Sequence, residues 1–163
     1  DMSTGSLGQG ISTAVGMAIA NKIDNKADRI YCLMGDGECQ EGQVWEAAMA
    51  AAHYKLNNLC AIVDFNNLQI DGDIKEVMNP TPLDKKFEAF NWNVIVINGH
   101  DFDEIASAFK QARECEDKPT VIIAHTVKGK GVSYMENNYA WHGVAPNEEQ
   151  LAQALKELGD HHE

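Results

Sequence analysis

The chain has 163 residues, of which 44% are apolar and 23% charged, enough apolar material to bury one core. Its 13 Lys and Arg against 25 Asp and Glu leave a net charge of −12, which argues against a nucleic-acid groove or an anionic membrane surface, since both need clustered positive charge. A small anionic ligand remains open, because a few local groups are enough to hold one.

In chain order, residues 1–9 (DMSTGSLGQ) form a small-residue loop ahead of the first helix, with no strand before it, and read as a truncated start. Residues 10–21 carry Ile11, Val15, Ala18 and Ile19 at helical spacing among alanines and glycines, a helix expected to press closely on its neighbour. Residues 30–34 are a short apolar run stopped by Gly35, a buried strand. Residues 41–56 then read as a helix, with acidic residues in a first turn where the helix dipole favours them. Residues 59–64 are the second strand, and 66–72 (NNLQIDG) a loop with a tight turn or small hairpin.

Residues 79–82 break the chain before an amphipathic stretch at 83–90. A third strand at 92–97, a helix at 103–116 and a fourth strand at 119–126 follow. A glycine-basic loop at 128–131 (KGKG) leads on to a last helix, opened by Pro146 and ending near Leu158. Helices alternating with short, unalternating strands define an α/β fold: three layers, α/β/α, around a mostly parallel sheet, with 1–163 as one domain. In such sheets ligands bind beyond the carboxyl ends of the strands. The expected binding loops are therefore 4–9, 35–42, 66–72, 98–101 and 126–131, with 139–143 folding back as cover.

The four cysteines, Cys32, Cys39, Cys60 and Cys115, show neither a C-x-x-C pair nor a zinc cadence. Cys32 and Cys60 lie in apolar runs and read as reduced core residues, in keeping with a cytoplasmic protein. The longest apolar runs are of strand length, and no leader or membrane-spanning segment is expected.

Gly35-Asp36-Gly37 follows the first strand, and its glycines let the backbone approach a ligand while presenting the aspartate at the sheet edge. As a lone motif it is equally a tight turn. The second strand runs into Asn66, thirty residues after Asp36, which adds an amide oxygen at the neighbouring loop. One carboxylate, one amide oxygen and a backbone carbonyl suit magnesium, which takes its remaining oxygens from a diphosphate and water.

Taken with their surroundings, these residues resemble the thiamine diphosphate motif, and transketolase in particular. The segments that carry the resemblance are 3–10 (STGSLGQG), 35–42 (GDGECQEG), 64–72 (DFNNLQIDG), 126–131 (TVKGKG) and 141–143 (WHG), spread over the whole chain in family order. The resemblance implies the diphosphate-side domain of a transketolase, which moves a two-carbon ketol unit from a ketose phosphate to an aldose phosphate with thiamine diphosphate and Mg²⁺. It implies Asp36, Asn66 and the carbonyl of Leu68 as metal ligands, and Gly37, Glu38 and Asn66 around the diphosphate. Gly5, Ser6 and Leu7 resemble the loop beside the aminopyrimidine, with Leu7 as a packing surface. His142 resembles the family histidine that reaches both diphosphate and sugar, and Lys128 supplies a second positive charge.

Glu41 and Glu46, about 140° apart on a helix, resemble a carboxylate network that links two sites across a dimer, or are simply dipole-friendly residues of a first turn. His100 resembles a strand-end residue near substrate, and His125 a supporting one. His53 reads as a polar surface or interface residue, and His161 and His162 as solvated. Trp45 and Trp92 read as core or interface, and Trp141 as packing for the His142 loop. In this family the glutamate that activates the cofactor lies on a separate pyrimidine-binding domain, so the resemblance implies a partner chain or domain, a homo- or hetero-oligomer, and a further segment ahead of Asp1. The alternatives are a portion of a 1-deoxyxylulose-5-phosphate synthase, or a non-catalytic module that binds metal-diphosphate or serves assembly. The segments 40–42 and 68–72 look more like transketolase.

Overall fold

The computed structural model describes residues 2–159. Helix α1 (Gln9–Ile23) leads into strand β1 (Ile30–Gly35), and a single 3-10 turn (Glu38–Gln40) separates that strand from α2 (Gly42–His53). After β2 (Leu59–Phe65), a two-stranded antiparallel hairpin of β3 (Leu68–Gln69) and β4 (Gly72–Asp73) continues into the short α3 (Ile74–Met78). Helix α4 (Leu83–Ala89), β5 (Asn93–Asn98), α5 (Phe102–Glu114), β6 (Thr120–His125) and α6 (Glu148–Leu158) complete the order.

Four strands pair in parallel in the order β1-β2-β6-β5. The register sets Gly35 beside Asp64, Phe65 beside His125, and His125 beside Asn98, so all four strands finish at one edge. The parallel α/β sheet is the one the apolar, unalternating strands require.

One face of the sheet buries Met34, Ala61, Val63, Val121 and Ile123 against α1, α2 and α4. Alanines at 14, 18, 47, 48 and 51 line this contact and let the helices approach closely. Phe87 of α4 is fully buried between Trp45 and Trp92, and the Trp92 indole donates to the Ala48 carbonyl at 2.9 Å. The opposite face packs Cys60, Ile97, Ile122 and Ala124 on α5. Over β1 that second layer is partial: Tyr31 meets Phe109 of α5 edge to face at 5.7 Å, while Leu33 is 73% exposed.

Local differences from the sequence reading have local causes. The Glu38–Gln40 turn delays α2, so Glu41 is its N-cap and the expected acidic first turn does not form. Helix α2 ends at His53 because Lys55 takes a left-handed conformation and Leu56 turns into the core. Asn147, not Pro146, caps α6, through a reciprocal capping box with Gln150. Helix α3 was absent from the sequence reading; it is a five-residue segment capped by Asp73, too short for a periodic signal. Cys32, Cys39 and Cys60 are buried free thiols, pushed up by burial to about 11, about 12 and about 11.

Candidate functional site

The carboxyl ends of β1 and β2 bring the two halves of the G-D-G and asparagine motif together. Asp36 is 1% exposed, and its backbone N–H donates to the Asp64 carbonyl at 3.2 Å. Its Oδ1 accepts the Gly37 N–H at 2.7 Å and its Oδ2 accepts the Asn67 N–H at 2.5 Å. Burial raises the Asp36 carboxyl above the usual aspartate range; the Asn67 and Gly37 amides pull it back, and nearby Asp64 adds to the rise. The balance leaves an ionised Asp36 under-compensated, which is the electrostatic setting a cation relieves.

Asn66 sits at the neighbouring loop, its Oδ1 accepting the Leu68 N–H at 3.0 Å. The β3–β4 hairpin then folds back over the G-D-G turn. A Cβ added at Gly37 would lie 2.9 Å from the Gln69 Cβ, so glycine is what permits this approach. Gln40 fastens the turn to α3 by donating to the Met78 carbonyl at 2.6 Å. The Asp36 carboxylate, the Asn66 amide and the Leu68 carbonyl supply hard oxygens carrying a single negative charge, a donor set that fits Mg²⁺ completed by a diphosphate and water. Among the described residues no group of three or more His, Cys, Asp and Glu converges as a metal cluster.

The loop holding Gly5, Ser6 and Leu7 is exposed, and Gly8 behind it is buried in a left-handed conformation. Glu38, expected at the diphosphate, directs its carboxylate to main-chain amides instead: Oε1 accepts from Gly8 N–H at 2.9 Å and Oε2 from Gly35 N–H at 3.2 Å.

At the ends of β5 and β6, Thr126 donates to the Asp64 carboxylate, and His100 Nε2 accepts the Val127 N–H at 2.8 Å. His100 thus orders the start of the 126–131 loop, and His125 lies exposed against the Phe65 ring. Lys128 Nζ stands 3.4 Å from His142 Nδ1. The segment delivering His142 is built on α6: Trp141 donates to the Tyr134 carbonyl at 2.9 Å, and the Tyr134 hydroxyl to the Gln150 carbonyl at 2.6 Å.

Two groups of expected site residues are therefore each assembled, Asp36, Gly37, Asn66 and Leu68 on one side and Lys128 with His142 on the other. No hydrogen bond joins them directly among the described residues; Asp64, bonded to both Asp36 and Thr126, lies between them. Glu41 and Glu46 are both exposed. His53 is exposed, as expected, while His161 and His162 lie outside the described residues. The roles of Asp64, Gln69 and Gly8 escaped the sequence reading, although the glycine directly ahead of α1 and the aspartate next to the end of β2 were visible.

The whole chain, residues 1–163, matches the family model for the transketolase thiamine diphosphate-binding domain. The chain belongs to this family. It is 48% identical over 158 residues to the 6-deoxy-6-sulfo-D-fructose transketolase subunit SqwG of Clostridium sp. (strain MSTE9), covering 97% of this chain and 58% of that protein. It is 45% identical over 160 residues to an apulose-4-phosphate transketolase subunit of Phocaeicola vulgatus, covering 98% and 57%. The crystal structure of transketolase from Campylobacter jejuni superposes with a TM-score of 0.89 at 40% identity, covering 94% of this chain and 25% of that one. The chain thus spans a little over half the length of the two subunit relatives.

Proposed function

We propose that this chain is the diphosphate-binding part of a transketolase that transfers a two-carbon ketol unit between sugar phosphates, completed by a partner chain bearing the pyrimidine-binding domain. The observation that carries the reading is the convergence of Asp36, Gly37 and Asn66 at the ends of two adjacent parallel strands. Family membership and the names of the two subunit relatives support it.

When bound, thiamine diphosphate would supply the nucleophilic carbon that accepts and releases the ketol unit. Asp36, the Asn66 side chain and the Leu68 carbonyl would hold Mg²⁺, and the Gly37 backbone would lie against the diphosphate. Gly5, Ser6 and Leu7 would flank the aminopyrimidine end, Leu7 offering an apolar surface. Lys128 and His142, whose Nζ and Nδ1 stand 3.4 Å apart, would together offer nitrogen donors to a phosphate or sugar oxygen. The exposed Glu41 and Glu46 would face a second active site in an oligomer.

Calorimetry with thiamine diphosphate, with and without Mg²⁺, on the chain assembled with its partner tests the reading. Asp36→Ala is expected to abolish metal-dependent binding. Unchanged binding in that variant would show that the metal site is assigned wrongly.

A further inference from the structure

Helix α1 begins without the usual side-chain help. Its N-cap is Gly8, no acidic residue lies in its first turn, and no side chain of its own caps it. In a capping box a glutamate at the third helical position accepts the N-cap N–H, but that position here is Ile11. Glu38, thirty residues away, does the job instead, with Oε1 on the Gly8 N–H and Oε2 on the Gly35 N–H.

The approach is tight on both sides. Gly8 has φ +82°, and a Cβ there would lie 3.0 Å from the Glu41 Cβ and 3.3 Å from the Gln43 Cβ. Gln43 in turn donates to the Ser12 hydroxyl of α1 at 2.6 Å. Among the described residues no lysine or arginine forms an ion pair with Glu38. Its negative charge is instead spent on two amides and the positive end of α1.

We propose that Glu38 is a positioning residue: by gripping the Gly8 and Gly35 amides with one carboxylate, it sets the spacing between the 5–7 loop and the Asp36-Gly37 turn. Resting on the proposed function, those two segments hold opposite ends of thiamine diphosphate. Glu38 therefore acts on a ligand that spans both loops and not on one that occupies the diphosphate end alone. The position has no need to touch the cofactor.

Glu38→Gln tests this, because the near-isosteric amide keeps one acceptor and turns an NH₂ against the other N–H. Hydrogen exchange on the full chain is expected to speed up about tenfold at Gly8 and Gly35 and through the first turn of α1, the scale of one lost charge-assisted hydrogen bond, with the rest of β1 and the other core strands unchanged. In the assembled complex, affinity for thiamine diphosphate with Mg²⁺ is expected to fall about tenfold, while affinity for inorganic pyrophosphate with Mg²⁺ stays at the wild-type level. Glu38→Asp, which keeps the charge but is too short to reach both amides, is expected to behave like Glu38→Gln. Equal losses for both ligands, no loss for either, or unchanged exchange at Gly8 would each overturn the proposal. If the wild-type complex binds neither ligand, the proposed function fails, and exchange at Gly8 alone then decides whether Glu38 holds the loop.

Discussion

Gly37 shows how one residue is constrained from two directions, by the ligand it is expected to face and by the hairpin behind it. Gly37→Ala sets a methyl group 2.9 Å from the Gln69 Cβ, so the β3–β4 hairpin must shift. Urea unfolding is expected to register a loss of about 1–3 kcal/mol, together with weaker metal-dependent cofactor binding. Adding Gln69→Gly removes the opposing carbon, and the double variant should regain stability relative to Gly37→Ala alone; failure to do so would show the clash lies elsewhere. At this scale Asp36 and Asn66 were legible in the sequence, because a tight turn and a strand end thirty residues apart announce themselves by letter and spacing. Glu38 was legible only as a neighbour of the motif. What its carboxylate grips depends on Gly8 being folded against it, a contact between residues that no local pattern connects.

Among the elements, α4 and the strand after it are held by an aromatic cluster of Trp45, Phe87, Phe90 and Trp92. Trp92→Phe removes the donor to Ala48 and some buried volume. Chemical denaturation is expected to show a loss of about 1–3 kcal/mol, with the site residues otherwise in place. Helix α6 is fastened differently, through Glu157, which accepts from the Ser133 N–H at 2.6 Å and the Ser133 hydroxyl at 2.7 Å. That N–H, with Gln153 and the Ser133 hydroxyl, holds the Glu157 carboxyl below the usual glutamate range. A depressed carboxyl contributes stability that is present above its unfolded value and lost as pH falls through its folded one. Acidification should therefore loosen α6 and the 133–142 segment it supports. Hydrogen exchange of α6 followed between about pH 3 and pH 6, corrected for intrinsic rates, is expected to show this in wild type and a flatter dependence in Glu157→Gln. Helix α6 itself was readable from its periodicity, whereas its grip on Ser133 was not, since helical spacing identifies a buried face without naming what covers it.

For the molecule as a whole, the charge of −12 coexists with a site proposed to take a diphosphate. A metal ion and a few aimed donors act within a few ångströms, while bulk charge is screened over a Debye length of about 8–10 Å. The chain spans 58% of the length of the SqwG relative and 57% of the apulose-4-phosphate relative, and the activating glutamate is expected on another domain. The 163-residue chain alone is accordingly expected to give no ketol transfer in a coupled assay, with turnover appearing on addition of the partner chain and disappearing with a chelator. Turnover by the pure polypeptide would refute the two-domain reading.

Composition and periodicity by themselves determined a parallel α/β sheet and most of its helices, because apolar runs without alternation are the mark of strands covered on both faces. Motif spacing pointed to Asp36 and Asn66 together, and the fold sets both just beyond the ends of adjacent parallel strands. Tertiary structure decided which of the flanking residues point at that site and which hold it up. It turned Glu38 onto two backbone amides, set Gln69 against Gly37, brought Lys128 beside His142, and left Leu33 of β1 exposed. Each of these depends on distances between segments far apart in the chain, and such distances exist only once the core has packed.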